Sequence, residues 1–236
     1  METTGYTILS RQRGLMREMQ LIANNVANAG TTGYRQQGLI FSEYIRQTDL
    51  GGSVSMSAAH VRNSSFAQGT ITSTGAALDL AIEGEGFFLV QTPAGERLTR
   101  NGAFTTNAQG DLVTHDGHPV MSAGGGPVFV PPGADLAIAQ DGTISSGGQP
   151  IGQIGVVAPA DTGDLERDGA TMFRAPQGSQ QVETPKITQG ALESSNVDPI
   201  LQFARMIEVQ RAYELGQSFL DREDQRQLAA IKTLFS

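Results

Sequence analysis

Asn24-Asn25-Val26-Ala27-Asn28-Ala29-Gly30-Thr31-Thr32-Gly33-Tyr34 closes a stretch that starts at Ile8, and the reading of that stretch decides the fold. Ile8, Leu15 and Ile22 recur every seven residues, and Met19 and Val26 each follow one of them by four. That spacing draws one apolar stripe along a helix, which then stops in the polar run. Gly30 can take the left-handed conformation that closes a helix, and Asn28 tolerates it. So narrow a stripe needs a cover from elsewhere in the chain.

The cover is expected at the far end. Asp198-Pro199 reads as an N-cap followed by proline at the first helical position, where the missing N–H costs nothing. Ile200, Phe203, Ala204 and Ile207 follow at i, i+3, i+4 and i+7, while Met206, Tyr213 and Leu220 repeat every seven. Leu228, Ile231, Leu234 and Phe235 continue in the same style. Helices over Thr4 to Asn28 and Pro199 to Leu234 would be roughly 37 Å and roughly 54 Å long at 1.5 Å per residue. They must pack against each other, pack against other subunits, or stay unfolded in the free chain. The two stripes of the second helix lie on different azimuths, so its apolar face is wider than one partner helix needs.

Composition separates the middle of the chain from its ends. Of the 29 glycines, 22 lie between residues 47 and 185, a turn-rich and helix-poor usage. Residues 1–46 carry a net charge of +2, residues 186–236 of −1, and the middle of −9. An acidic middle repels phosphate backbones, so nucleic acid is not expected as a partner. With no cysteine, neither disulfides nor thiolate metal sites are possible. No run of about 18 apolar residues would span a bilayer. Arg11, Arg13 and Arg17 interrupt any secretory signal pattern before an apolar region forms, so general secretion is not expected.

From Gly69 the pattern is one of short strands between turns. Leu78, Leu80 and Ile82 alternate with Asp79 and Ala81, and Glu83-Gly84-Glu85-Gly86 permits a tight reversal into Phe87-Phe88-Leu89-Val90. Further turns fall at Asn101-Gly102, Gln109-Gly110, Asp116-Gly117, Asp141-Gly142 and Gly147-Gly148. The chain thus divides into an N-terminal helix (1–30), an extended connector holding Gly51-Gly52-Ser53 (31–66), a mainly antiparallel β domain (67–184), a return arm (185–197) and a C-terminal helix (198–236).

No chemistry assembles on this pattern. His115 and His118 bracket an Asp-Gly turn without a third metal ligand, and His60 has no visible partner. Glu83 and Glu85 sit two apart in a turn, and Gly84-x-Gly86 is not followed by a helix N-terminus that would hold phosphate. No Gly-x-Ser-x-Gly elbow is present. No catalytic, cofactor-binding or metal residue is therefore assigned.

Three motifs in order do carry a resemblance. The run Asn24 to Arg35, the block Leu78 to Phe88, and Met206 to Glu214 preceded by Ser195-Asn196-Val197 resemble the signatures of the rod and hook proteins of the bacterial flagellum. The resemblance implies mixed α and β architecture: both terminal helices packed as a coiled-coil-like inner domain, extended connector arms, and the β domain outside. It implies a structural subunit of the basal-body rod in the periplasm, polymerising helically with copies of itself and other rod proteins into a shaft that transmits torque. Export would run through the flagellar type III apparatus. The assembly contacts it implies are Ile8, Leu15, Met19, Ile22 and Val26 on one helix, with Asn24, Asn25 and Asn28 as amides near its end. On the other helix they are Ile200, Phe203, Met206, Ile207, Gln210, Arg211, Tyr213 and Leu220. Gly33, Tyr34 and Asn196 would set the corners where helix becomes arm. Met206→Asp is then expected to leave the β domain folded and to abolish incorporation. The short connector favours the proximal over the distal part of the rod. Two rivals stand beside this reading: an acidic β binding module on a homo-oligomeric coiled coil, and an exported wall-acting enzyme using Glu83 or Glu85.

Overall fold

The computed structural model describes residues 2–47, 53–131 and 136–234; Gly51, Gly52 and Phe235, read above as connector and helix residues, lie outside them. The described chain forms two compact units. One holds helix α1 (Glu2–Ala27), strands β1 (Gln37–Gln47) and β2 (Ser53–Ser64), and helix α2 (Pro199–Leu234). The other comprises residues 28–36 and 66–197.

In the helical unit α1 packs along α2 and also against the β1–β2 hairpin, mainly through β2. This double cover is written in its burial. Ile22 and its neighbour Leu21 are both buried, as are Gln12 and Asn25, which no single heptad seam would achieve. Asp198 caps α2, its Oδ1 accepting from the backbone N–H groups of Ile200 at 2.9 Å and Leu201 at 3.2 Å.

The inner domain is therefore not the coiled coil expected from the two terminal stripes. It is two helices and a hairpin, and polar Gln12, Asn25 and Gln202 are buried where a coiled-coil seam would place apolar residues. Nor are 37–47 and 53–64 extended arms. They form an antiparallel ladder from Gln37↔Ser64 to Gln47↔Ser53. A bulge opposite Ile40/Phe41 leaves His60 without a cross-strand partner and breaks the period-two alternation that would have announced the strands. Gly30 is not left-handed; the helix ends at Ala27, and the first glycine with positive φ is Gly33, at 68°.

The second unit is built on a six-stranded antiparallel sheet. Its order is Glu166–Asp168, Met172–Arg174, Gly95–Thr99, Phe87–Thr92, Val156–Pro159, Ser179–Gln181. Alternation along Phe87-Phe88-Leu89-Val90 sends Phe88 and Val90 into a core with Leu80, Ile82, Phe104, Leu112 and Ile154. Phe87 joins Leu98, Val157 and Phe173 on the opposite face. Phe66 closes that second cluster, 6.1 Å from Phe87 and 5.7 Å from Phe173 between ring centroids. Gly84 and Gly86 both have positive φ, but no hairpin results. Leu80–Ile82 pairs instead with Ile187–Gln189, and Ile71–Ser73 with Ala191–Glu193.

Candidate assembly site

The helical unit sorts the expected contact residues by side. On α2 the stripe Gln202, Met206, Val209, Tyr213, Gly216 and Leu220 has Gln202 and Val209 buried and the other four half-buried. Gln12 Nε2 donates to Tyr213 O at 2.9 Å, and its side chain lies where a Cβ on Gly216 would be. Arg205 pairs with Glu18 at 2.8 Å. These contacts identify the face turned to α1. The other stripe looks away: Ile200 is 78 % exposed, Phe203 52 % and Ile207 52 %, with Gln210 and Arg211 also exposed. Such an apolar series on one side of a helix is surface that a lone chain leaves in water. Of the residues expected on α1, Ile22 is buried, Ile8, Leu15, Met19 and Val26 are half-buried, and Asn24 is exposed.

Asn25 is 1 % exposed and engages β1 as a strand would. Its Oδ1 accepts from Gln37 N at 2.9 Å, and its Nδ2 donates to Gln37 O at 2.8 Å and Gln202 Oε1 at 3.2 Å. One amide thus joins α1, the first residue of the hairpin and α2. All three of these partners of Asn25 belong to the same chain.

Gly33, Tyr34 and Asn196 come together in the second unit. Gly33 N donates to Glu193 O at 2.8 Å, Asn196 N donates to Tyr34 O at 3.3 Å, and Asn196 Oδ1 accepts from Gln36 N at 2.6 Å. Asn196 Nδ2 donates to Ala67 O at 2.8 Å. Thr31 Oγ1 donates to Asn28 Oδ1 at 3.2 Å.

Beside this junction lies a buried ionic cluster that sequence reasoning missed. Glu193, 0 % exposed, faces Arg35 at 2.8 Å and Arg100 at 3.1 Å, and accepts from Gly69 N at 2.8 Å. Arg35 Nη1 also donates to Ala67 O at 2.5 Å, and Arg100 Nη2 to Gly84 O at 2.5 Å. Arg167 stacks between the rings of Tyr34, at 4.9 Å, and Phe173, at 4.7 Å, and donates to Arg35 O at 2.5 Å. Burial pushes the pKa of Arg35 and of Arg100 down, against the raising influence of Glu193. Burial also holds the Tyr34 hydroxyl above its ordinary 10.0, with Arg167 pulling the other way. The one local hint was Arg35 itself, a charge directly following an apolar ring in a stretch otherwise poor in charge.

Glu83 and Glu85 are exposed, and Glu83 Oε1 accepts from Thr188 Oγ1 at 2.8 Å. Among the described residues no three His, Asp or Glu side chains gather as metal ligands, and no helix is long and apolar enough to cross a membrane.

A β module, terminal helices gathered with a hairpin, and an unpartnered apolar helix face define a structural, assembling class of protein. Residues 81–146 match the family model described as the flagellar hook protein FlgE/F/G D1 domain, and residues 188–233 match that of the flagellar basal body rod FlgEFG protein C-terminal region. The chain belongs to this flagellar rod and hook family. It is similar to the flagellar basal-body rod protein FlgF of Caulobacter vibrioides, with 39% identity covering 99% of this chain and 98% of the relative. The FlgF protein of Mesorhizobium japonicum is 37% identical over 100% of this chain and 99% of the relative. A FlgG rod protein of Bacillus subtilis is 31% identical, covering 93% and 94%.

Proposed function

We propose that the chain is a structural subunit of the flagellar basal-body rod, of the FlgF kind, and that it polymerises through the outward faces of its terminal helices. Likeness to FlgF over the whole chain supports the proximal position, since the FlgG likeness reaches 93% of the chain at lower identity. The observation that carries the assembly reading is the exposed series Ile200, Phe203 and Ile207. Burying such a side chain in a neighbour is favourable, by about 1.5–3 kcal/mol when it passes from full exposure to full burial. A heterologous contact that does not close extends without limit, which is what a shaft requires. The buried Arg35–Glu193–Arg100 cluster stiffens the β unit that such a shaft must twist as one body. The subunit catalyses no reaction on this reading, travels through the flagellar type III export apparatus, and works in the periplasmic rod.

Electron cryo-microscopy of basal bodies isolated from cells expressing a tagged chain tests this. Density for the β module at the proximal rod is expected. A tag found only in the cytoplasm of fully motile cells would sink the reading.

A further inference from the structure

We propose that the helical unit carries two complementary surfaces, so that the Ile200–Phe203–Ile207 face of one copy seats in a groove between α1 and α2 of a second copy. This rests on the rod-subunit reading and adds to it which patch meets which.

The groove is an apolar hollow of about 520 Å³ lined by Ile8, Gln12, Leu15, Leu215 and Phe219, with Arg11 at its lip. On the α2 side Ala212 lines it with only a methyl group, and the amide of Gln12 occupies the space in front of Gly216. Leu215 and Phe219, 71 % and 50 % exposed, form its open wall. Gln12 is 8 % exposed and lines this hollow, and its Oε1 is buried with no hydrogen-bond partner among the described residues. A buried amide oxygen left so costs about 1–3 kcal/mol until a donor reaches it.

The α2 face supplies what the groove lacks. Ile200, Phe203 and Ile207 stand at i, i+3 and i+7, the spacing with which a helix fills an apolar groove. Arg211, four residues beyond Ile207 on that exposed side, offers donors to Gln12 Oε1. Arg11 stands exposed at the groove, and Glu208, paired with Arg205 at 3.2 Å along the same helix, stands exposed beside the apolar face with a carboxylate that Arg11 of the second copy can share. Face and groove are centred about twelve residues apart on α2, roughly 18 Å along its axis. One copy therefore cannot fill its own groove, and each seated copy presents a fresh groove to the next.

The chain has no cysteine, so engineered thiols report the contact cleanly. Full-length Phe203→Cys and Phe219→Cys proteins are mixed at high concentration and oxidised, with Leu215→Cys replacing Phe219→Cys as a second groove probe. A disulfide dimer should form in either mixture and be lost when each variant is oxidised alone. The double variant Phe203→Cys/Phe219→Cys should give a ladder of multimers. Dimers of Phe203→Cys alone, no product in either mixture, or a double variant stopping at dimers would overturn the pairing. Recovery of the chain in basal bodies without the ladder would refute the pairing alone; a ladder without such recovery would refute the rod reading alone.

Discussion

The carboxylate of Glu193 lies 2.8 Å from Arg35 Nη1, with each side chain 1 % exposed. The pair joins the segment that leaves α1 to the strand that leads into α2, and Arg100 makes it a triad. Two guanidinium groups around one buried carboxylate leave an excess positive charge if that carboxylate is removed. Glu193→Ala should therefore lower stability by about 3–5 kcal/mol, since it strands two buried cations. Denaturant unfolding followed by circular dichroism measures it; a loss under about 1 kcal/mol would mean that water reaches the cluster.

Tyr34 gives the same junction an alkaline limit. Its hydroxyl titrates above 10.0 in the fold because it is buried, so the folded chain keeps a proton the unfolded chain has released. The contribution is complete below the unfolded value and is lost as pH rises through the folded one. Stability should fall more steeply above about pH 10 for the natural chain than for Tyr34→Phe. Denaturant midpoints of both proteins between pH about 9 and about 11 decide it, parallel curves counting against the assignment.

What the sequence made legible was local. The Asp198-Pro199 start of α2 rests on one carboxylate reaching two neighbouring N–H groups, and it was readable. So were turns at Gly110, Gly117, Gly142 and Gly148, all of which have positive φ. What stayed hidden depends on distant partners. Leu80–Ile82 reads as half of a hairpin with Phe87, yet it pairs with Ile187–Gln189, which no neighbour of Leu80 could signal. The pairing of 37–47 with 53–64 was masked by its bulge, and nothing near Glu193 in the chain signals an ionic partner until Arg35 and Arg100 are placed beside it. The two apolar stripes of α2 were visible, but only the structure divides them into an inner face at Met206 and an outer one at Ile207.

Gly33 and Gly30 form a matched pair of tests. Gly33 has φ 68°, and a Cβ there would collide with the backbone of Arg100 and Asn101. Gly30 has no positive φ, and a Cβ there meets nothing within 4 Å. Gly33→Ala should cost about 2 kcal/mol or more, whereas Gly30→Ala should be neutral or gain about 0.5 kcal/mol by restricting the unfolded chain. Thermal melts of the two variants separate these outcomes, and equal losses would be contrary to the geometry.

Asn25 carries a heavier burden than a helix-end asparagine would. Its amide supplies both partners of the Gln37 backbone and touches Gln202. Removing it leaves a buried N–H and a buried C=O unmatched, so Asn25→Ala should cost about 2–4 kcal/mol. Asn25→Asp should be no better, because its carboxylate cannot donate to Gln37 O and would be charged in a buried place. Amide exchange at Gln37, by mass spectrometry, should accelerate in both; unchanged protection would show that the hairpin is held by other contacts.

Adjacent residues of α2 separate folding from assembly. Met206 is half-buried on the α1 side, so Met206→Asp would weaken the helical unit itself and could not isolate an assembly defect. Ile207, 52 % exposed, faces away. Ile207→Asp should keep its unfolding free energy within about 0.5 kcal/mol of the natural chain, as surface substitutions do. The same change places a charge where a neighbour's apolar groove must close, and desolvating it there costs several kcal/mol. Swimming halos on soft agar should therefore shrink for Ile207→Asp while its melting curve stays in place, and for Met206→Asp both should suffer. Normal halos with Ile207→Asp would show that this face is not used.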